Sequence, residues 1–220
     1  MKKTALLSVT VGATLLLLLG GCGSKEEVKG TVEAGTVSST TEKLKDGEKV
    51  DVESVSLKDD GSFKEIIKGD NDPKVKLEAK YDTDWQDKSW ENVDFKIDKV
   101  KIAEVDKYKD KENNEYKGLM SMDFTLKNDG KEDVSIHPSD AVLVLKDGTE
   151  IKGKHFRDYW EDIFAKDKQK DGHVYFTFDK LEQADQVKEI KLTFDGHKKS
   201  DDSDKVEHTY DVKLPLELQK

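Results

Sequence analysis

From Lys74 onward, apolar and polar residues alternate in short runs. "KVKLEAKY" places Val75, Leu77, Ala79 and Tyr81 on one face. "VDFKIDKVKI" places Val93, Phe95 and Ile97 on one face, then Val100 and Ile102 in the opposite phase. A two-residue period that slips by one predicts a β-bulge near Asp98 and Lys99. "MSMDFTL" gives Met120, Met122, Phe124 and Leu126; "NDG" then turns the chain and "EDVSIHP" returns it. "AVLVL" running into "KDGT" is a hairpin signature. "HVYFTF", "IKLTF" and "YDVKLPL" continue the alternation through Val174, Phe176, Phe178, Ile190, Leu192, Phe194, Tyr210, Val212 and Leu214. Seven or more strands separated by Gly, Asp and Asn turns predict an all-β antiparallel sandwich over residues 73–220.

One segment departs from this period. In "HFRDYWEDIF", Phe156, Tyr159, Trp160, Ile163 and Phe164 fall at helical spacing on one face. They predict one short amphipathic helix or helical turn that crosses between sheets or covers one end of the sandwich. Each large aromatic has ~150–250 Å² to bury, so this face needs a cover. The cover is either the sandwich core or a partner, which makes these five residues a candidate partner surface.

Upstream, residues 48–72 give mixed signals. Val50 and Val52 alternate, Val55 and Leu57 shift phase, and "DDGS" precedes "FKEII". The stretch is predicted to be a weakly ordered segment or a hairpin. Residues 22–47 carry no aromatic and much Gly, Ser, Thr, Lys and Glu. Such a composition buries too little apolar surface to offset chain entropy, and it predicts a flexible tether.

Residues 1–21 read as a leader. Lys2 and Lys3 precede an apolar run that ends in five leucines. The run is shorter than the ~20 residues that a membrane span needs. The order Leu19-Gly20-Gly21-Cys22 resembles a bacterial lipobox. The resemblance implies cleavage between Gly21 and Cys22 and a diacylglyceryl group on the Cys22 thiol. Two acyl chains give stable attachment where one does not. The implied location is the outer face of the cytoplasmic membrane, with the lipid as the first partner.

Composition narrows the function classes. Charged residues make up 39% of the chain, and the formal charge is −10. Of 38 basic residues only Arg157 is arginine. An acidic, arginine-poor chain argues against nucleic acid as a partner. Cys22 is the only cysteine, so no intrachain disulfide is available. His137, His155, His173, His197 and His208 show no metal-ligand spacing. The carboxylate-rich "DKYKDKENNEY" and "SDDSDKVE" lack the twelve-residue calcium pattern. Met120 and Met122 sit at strand spacing, which favours the core over a metal. No nucleophile elbow, P-loop or dinucleotide fingerprint is present. The expectation is therefore no cofactor, no metal and no catalytic residue.

The strand and turn series "MDFTLKNDGKEDVSIHPSDAVLVLKDGTEI" and "KDGHVYFTFDKLEQADQVKEIKLTFDG" is similar to an uncharacterised immunoglobulin-like domain of Gram-positive lipoproteins and secreted proteins. It covers roughly Asp94 to Phe194, with Tyr210 to Leu216 as a last strand. The resemblance implies an immunoglobulin-like sandwich and a role in binding or envelope interaction, with no catalytic residues to carry over. The expected function is a membrane-anchored, non-catalytic binding module whose partner is an extracellular or envelope protein. Two alternatives stand beside it. One is an envelope enzyme or accessory hydrolase; the other is a leader that serves as precursor of a hydrophobic signalling peptide.

Overall fold

A computed structural model describes residues 29–33, 56–157, 160, 163–199 and 205–218. Gly21, Cys22 and Tyr159 lie outside the described residues, so the cleavage and lipidation sites and one member of the aromatic segment are not located by it.

The chain forms an all-β antiparallel sandwich, as the alternation predicts. The first sheet is built on three long strands, β2 (Val75–Asp87), β3 (Val93–Lys109) and β4 (Glu115–Asn128), paired in that order. β9 (Lys168–Phe178) continues the sheet beyond β4. On the far edge of β2, β1 (Lys29–Glu33) pairs antiparallel with Glu78–Tyr81. β12 (Glu217–Leu218) pairs with β1 in parallel. Lys29–Glu33 falls within the segment assigned to the tether, and its backbone forms a strand between β2 and β12. The open edge of β2 offers it backbone hydrogen-bond partners that a tether would leave to water.

The second sheet centres on β10 (Val187–Lys198). β11 (His208–Pro215) pairs along one edge. Along the other edge lie β6 (Ala141–Leu145) and β5 (Val134–Pro138), end to end. β7 (Glu150–His155) pairs with β6, and β8 (Ile163–Phe164) pairs with β5. A short 3₁₀ turn, Ala184–Gln186, leads into β10.

"KDGT" forms the expected β6–β7 hairpin, with Gly148 at a φ of 91° that suits its lack of a side chain. The bulge lies where the phase slips: register shifts between Ile97 and Lys99 against β4. "NDG" does not return the chain beside β4. It carries the chain across to the second sheet, because β5 pairs with β10 and β8. The buried Asn128 side chain fastens this crossing. Its amide donates to the carbonyls of Glu132 at 2.9 Å and Phe164 at 3.2 Å, and its carbonyl accepts from Gly130 N at 2.9 Å.

Of the expected helix or helical turn, the described residues show only a turn at Arg157, whose carbonyl accepts from Trp160 N at 3.3 Å. Phe156 N donates to Tyr175 O at 2.8 Å, and Ile163 and Phe164 pair with Ser135 and Val134. Strand edges take up the backbone at both ends of the segment. The aromatic stripe is divided as a result: Trp160 and Phe164 join the core between the sheets, while Phe156 packs on the outer face of the first sheet.

That outer face carries a second apolar cluster. Residues 56–72 form a series of turns and not a hairpin. Leu57, Phe63, Ile66 and Ile67 pack against Val75, Ala103, Val105, Tyr108, Tyr116, Leu119 and Tyr175. Full burial of each such side chain contributes ~1.5–3 kcal/mol. Polar contacts hold this strap in place. Lys101 Nζ donates to Asp60, and Tyr175 OH donates to Glu65 Oε2 at 3.1 Å. Asp72 closes the loop by accepting from Ser56 Oγ at 2.6 Å and Leu57 N at 3.0 Å.

β7 belongs to both sheets. Glu150–Gly153 pair with β6, and Lys154 and His155 pair with Thr177 and Phe176 of β9. The corner sits at Gly153, where an added Cβ would lie 2.3 Å from the Phe178 ring. Phe178 is fully buried and has no room to retreat. Gly153→Ala should therefore destabilise the protein by ~1–3 kcal/mol, the usual cost of overpacking. Adding Phe178→Leu should restore part of that loss. Urea unfolding of the two single variants and the double checks this, and additive effects would rule out the close approach.

Candidate functional site

The segment from His155 to Phe164 leaves the first sheet, crosses the open edge of the sandwich and enters the second. Two clefts flank it. Trp160 forms part of one, of about 200 Å³, together with Phe124, Lys170, Asp171, Gly172, His173 and the strap residue Glu65. Arg157, Phe156 and His155 line the other, of about 350 Å³, opposite the β3–β4 turn from Asp110 to Asn114. A larger cleft of about 570 Å³ lies at the β6–β7 hairpin, lined in part by Leu145 and Ile151.

Trp160 plugs the edge between the sheets. Its ring centre lies 5.0 Å from Phe124 in the first sheet and 6.2 Å from Phe194 in the second. Its indole N–H donates to Ile136 O at 2.9 Å, so a half-buried donor is satisfied. Gly172 makes the site possible, because a Cβ there would lie 2.9 Å from the Phe124 ring. Phe164 is buried beneath Trp160, at 6.1 Å between ring centres. Among the described apolar residues of the segment, Ile163 is the exposed one, at 50% of its surface.

Beside this plug the β4–β9 register sets Asp123 opposite His173. Asp123 Oδ1 lies 2.9 Å from His173 Nδ1. This hydrogen bond holds the imidazole pKa above its usual 6.5, against the opposing effect of burial. Tyr175, two residues on, is pushed up by burial and by the Glu65 carboxylate that accepts its hydroxyl proton. Of this group, His173 and Glu65 line the cleft, and His173 can hold a proton there against Asp123.

His155 behaves in the opposite sense. Burial, with a smaller effect of the Arg157 charge, pushes it down to about 4. It packs against Trp160 and Phe176, at 6.1 and 5.8 Å between ring centres.

Other groupings were not visible in the linear sequence. β5–β10 pairing brings the His137 and His197 rings to 5.1 Å. His208 stacks on Trp90 at 5.8 Å and meets Ser89 Oγ at 3.2 Å. In "DKYKDKENNEY", Asp110 serves the turn itself. It accepts from Glu112 N, Asn114 N, Asn114 Nδ2 and Tyr116 OH. Among the described residues no group of three or more His, Cys, Asp or Glu is arranged to hold a metal. None of their helices is long and apolar enough to cross a membrane.

The fold places the chain among all-β, sandwich-like proteins. No family model matches it, and no curated protein does. Partial similarity to solved structures exists. A functionally unknown protein from Listeria monocytogenes EGD-e is 17% identical, with a TM-score of 0.40 over 61% of this chain and 82% of that one. The Northeast Structural Genomics Consortium target SoR45 is 12% identical, with a TM-score of 0.30 over 57% of this chain and 83% of its own.

The two histidines beside Trp160 should titrate in opposite directions. His173, raised when folded, adds stability that is fully present below pH 6.5 and is lost as pH rises through its folded value. His155, lowered when folded, costs stability as pH falls from 6.5 toward about 4. An NMR titration should place His173 above 6.5 and His155 near 4, and Asp123→Asn should move only His173 down. Two midpoints at 6.5 would contradict the geometry.

Proposed function

We propose that the protein is a membrane-anchored, non-catalytic binding module of the bacterial envelope, lipidated at Cys22, whose partner docks along the β7–β9 crossover. One observation supports the docking face above others. The crossover sets Trp160 and Phe156 on the rims of two clefts and leaves Ile163 half exposed between strands. The series Leu19-Gly20-Gly21-Cys22 supports the anchor. The immunoglobulin-like resemblance of the strand and turn pattern supports a binding role.

A second reading, an accessory hydrolase, draws on the Asp123–His173 pair beside Glu65. A carboxylate that orients an imidazole is the base half of many hydrolytic sites. Loss of a hydrolytic activity on envelope polymers in His173→Gln, with folding intact, would favour it.

Cys22→Ala should shift the protein from the membrane fraction to the medium, or leave unprocessed precursor. Metabolic acyl labelling that puts no lipid on the wild type would contradict the anchor. Crosslinking on intact cells tests the docking face. Ile163→Glu should abolish the crosslinked species and leave the melting temperature unchanged. Trp160→Ala should lower stability by ~3 kcal/mol, since the indole fills the sandwich edge. A crosslinked species that persists in Ile163→Glu would move the partner to another surface.

A further inference from the structure

Where β7 passes from one sheet to the other, a ladder is left unfinished. Backbone hydrogen bonds in an antiparallel pair fall on alternate residues. Leu145 N donates to Thr149 O at 2.8 Å, which sets the phase of the β6–β7 hairpin. Ile151 and Gly153 follow in the same phase, opposite Leu143 and Ala141. The N–H and C=O groups of Glu150 and Lys152 therefore point away from β6. The other edge of β7 agrees. Phe156 N donates to Tyr175 O at 2.8 Å, and Lys154 is in phase with it, opposite Thr177. His155, out of phase, sends its N–H the other way, to Asp140 Oδ1 at 3.1 Å.

The following rung would join Lys152 to Asp179. Among the described residues it is not formed: β7–β9 pairing is confined to Lys154 and His155, and β9 ends at Phe178. From Gly153 back to Glu150 the strand pairs with β6, while the chain beyond Phe178 leaves for the 3₁₀ turn. The cleft of about 570 Å³ is the gap between them. β7 contributes Glu150, Ile151 and Lys152 to it, and the segment after β9 contributes Asp179, Lys180 and Glu182. Leu145 lines it too; it belongs to the core between the sheets, and Ile151 packs against that core. Both chain segments mix signs of charge. A phosphate, a nucleic acid or a metal ion would meet a repelling group from each, so a ligand of single sign does not suit the cleft. What it offers is backbone donors and acceptors beside an apolar contact.

We propose that this cleft binds an extended peptide segment of a partner protein by strand addition to β7, with the peptide backbone on Glu150 and Lys152 and one apolar side chain against Leu145 and Ile151. A row of N–H and C=O groups along a strand edge is a template for another chain. In strand addition the main-chain bonds supply affinity, and a pocket beside the edge selects among side chains. The volume falls in the range of ligand sites and admits only a short segment. The inference goes beyond the binding-module reading, since it uses the opposite end of β7 from the aromatic crossover and does not need that face.

Amide signals of the ¹⁵N-labelled full chain in detergent test it. Without ligand, the Glu150 and Lys152 amides should exchange rapidly with solvent, and Ile151 between them should be protected. The probe is acetyl-Thr-Val-Thr-Val-Thr-amide, uncharged to suit the mixed walls and rich in β-branched residues that favour extended backbone. It should shift the Glu150 and Lys152 amides saturably and slow their exchange. Methylation of the probe's two valine nitrogens should weaken binding by about tenfold through the lost backbone bonds. Lys152→Pro should weaken binding similarly at an unchanged melting temperature, because proline is tolerated where a strand N–H faces away from the ladder. Lys152→Ala should bind as the wild type does. No saturable shift, or equal binding by the methylated probe, overturns strand addition whether or not Lys152→Pro folds. Slow exchange at Glu150 and Lys152 without probe overturns it too: a segment of this chain then holds the edge if protection is independent of protein concentration, and a second copy holds it if protection rises with concentration. Crosslinking on cells that is lost in Ile163→Glu and kept in Lys152→Pro would leave the crossover reading standing after any such failure.

Discussion

The centre of the first sheet is buried on both faces, and much of the molecule follows from that. From Gly118 to Met122 on β4, and from Val174 to Phe178 on β9, consecutive residues are buried. Alternate members of each run face the second sheet: Met120, Met122, Val174, Phe176 and Phe178. The intervening Leu119 and Tyr175 belong to the outer cluster, and Ala103 and Val105 of β3 join them. A sandwich sheet ordinarily leaves its outer face to water. Here that face is apolar, and the strap from Ser56 to Asp72 covers it.

The cover brings charge under it. Glu78 is fully buried, with Lys80 and Lys101 each 3.7 Å from its carboxylate. Lys101 reaches Asp60 on the strap as well. A buried carboxylate tolerates its position through such partners, and removal of one partner from a buried pair typically costs ~3–5 kcal/mol. Lys101 therefore ties the strap to the sheet in a way apolar contact alone would not: it fixes where along the face the strap sits. That position decides the rest. Glu65 reaches Tyr175, and both stand beside the Asp123–His173 pair and the Trp160 cleft. The cleft at the crossover is thus assembled from the strap, the edge of the first sheet and the plug between the sheets.

Period-two alternation made the sandwich legible, because a sheet with one face on the core writes that face into every second residue. The same habit concealed the second layer. Met120 and Met122 stand out at strand spacing, and Leu119 between them reads as noise unless two-sided burial is considered. Leu57, Phe63, Ile66 and Ile67 follow no period, since a run of turns has none. The aromatic segment misled for a different reason. Its i, i+3, i+4 spacing is that of a helix, yet Phe156 and Phe164 serve different clusters, and strand edges far away in sequence take up the backbone. The clefts were illegible in the same way. Asp123 and His173 are 50 residues apart and meet through strand register. Arg157 was conspicuous in composition, but Asp110 and Tyr116, which face it, come from a hairpin some forty residues earlier.

Hydrogen exchange on the strap measures the central constraint directly. Phe63 N and Lys64 N donate to Asp60 O, and Ile66 N and Ile67 N donate to Phe63 O, within turns that only the sheet beneath them supports. Isolated turns of this length do not persist in water. With two-sided burial, these four amides exchange slowly, and Phe63→Ala releases them together while the β4 amides stay protected. Exchange of the four amides at the rate of an unstructured peptide in the wild type would contradict the account, for the outer face of the first sheet would then lack its cover.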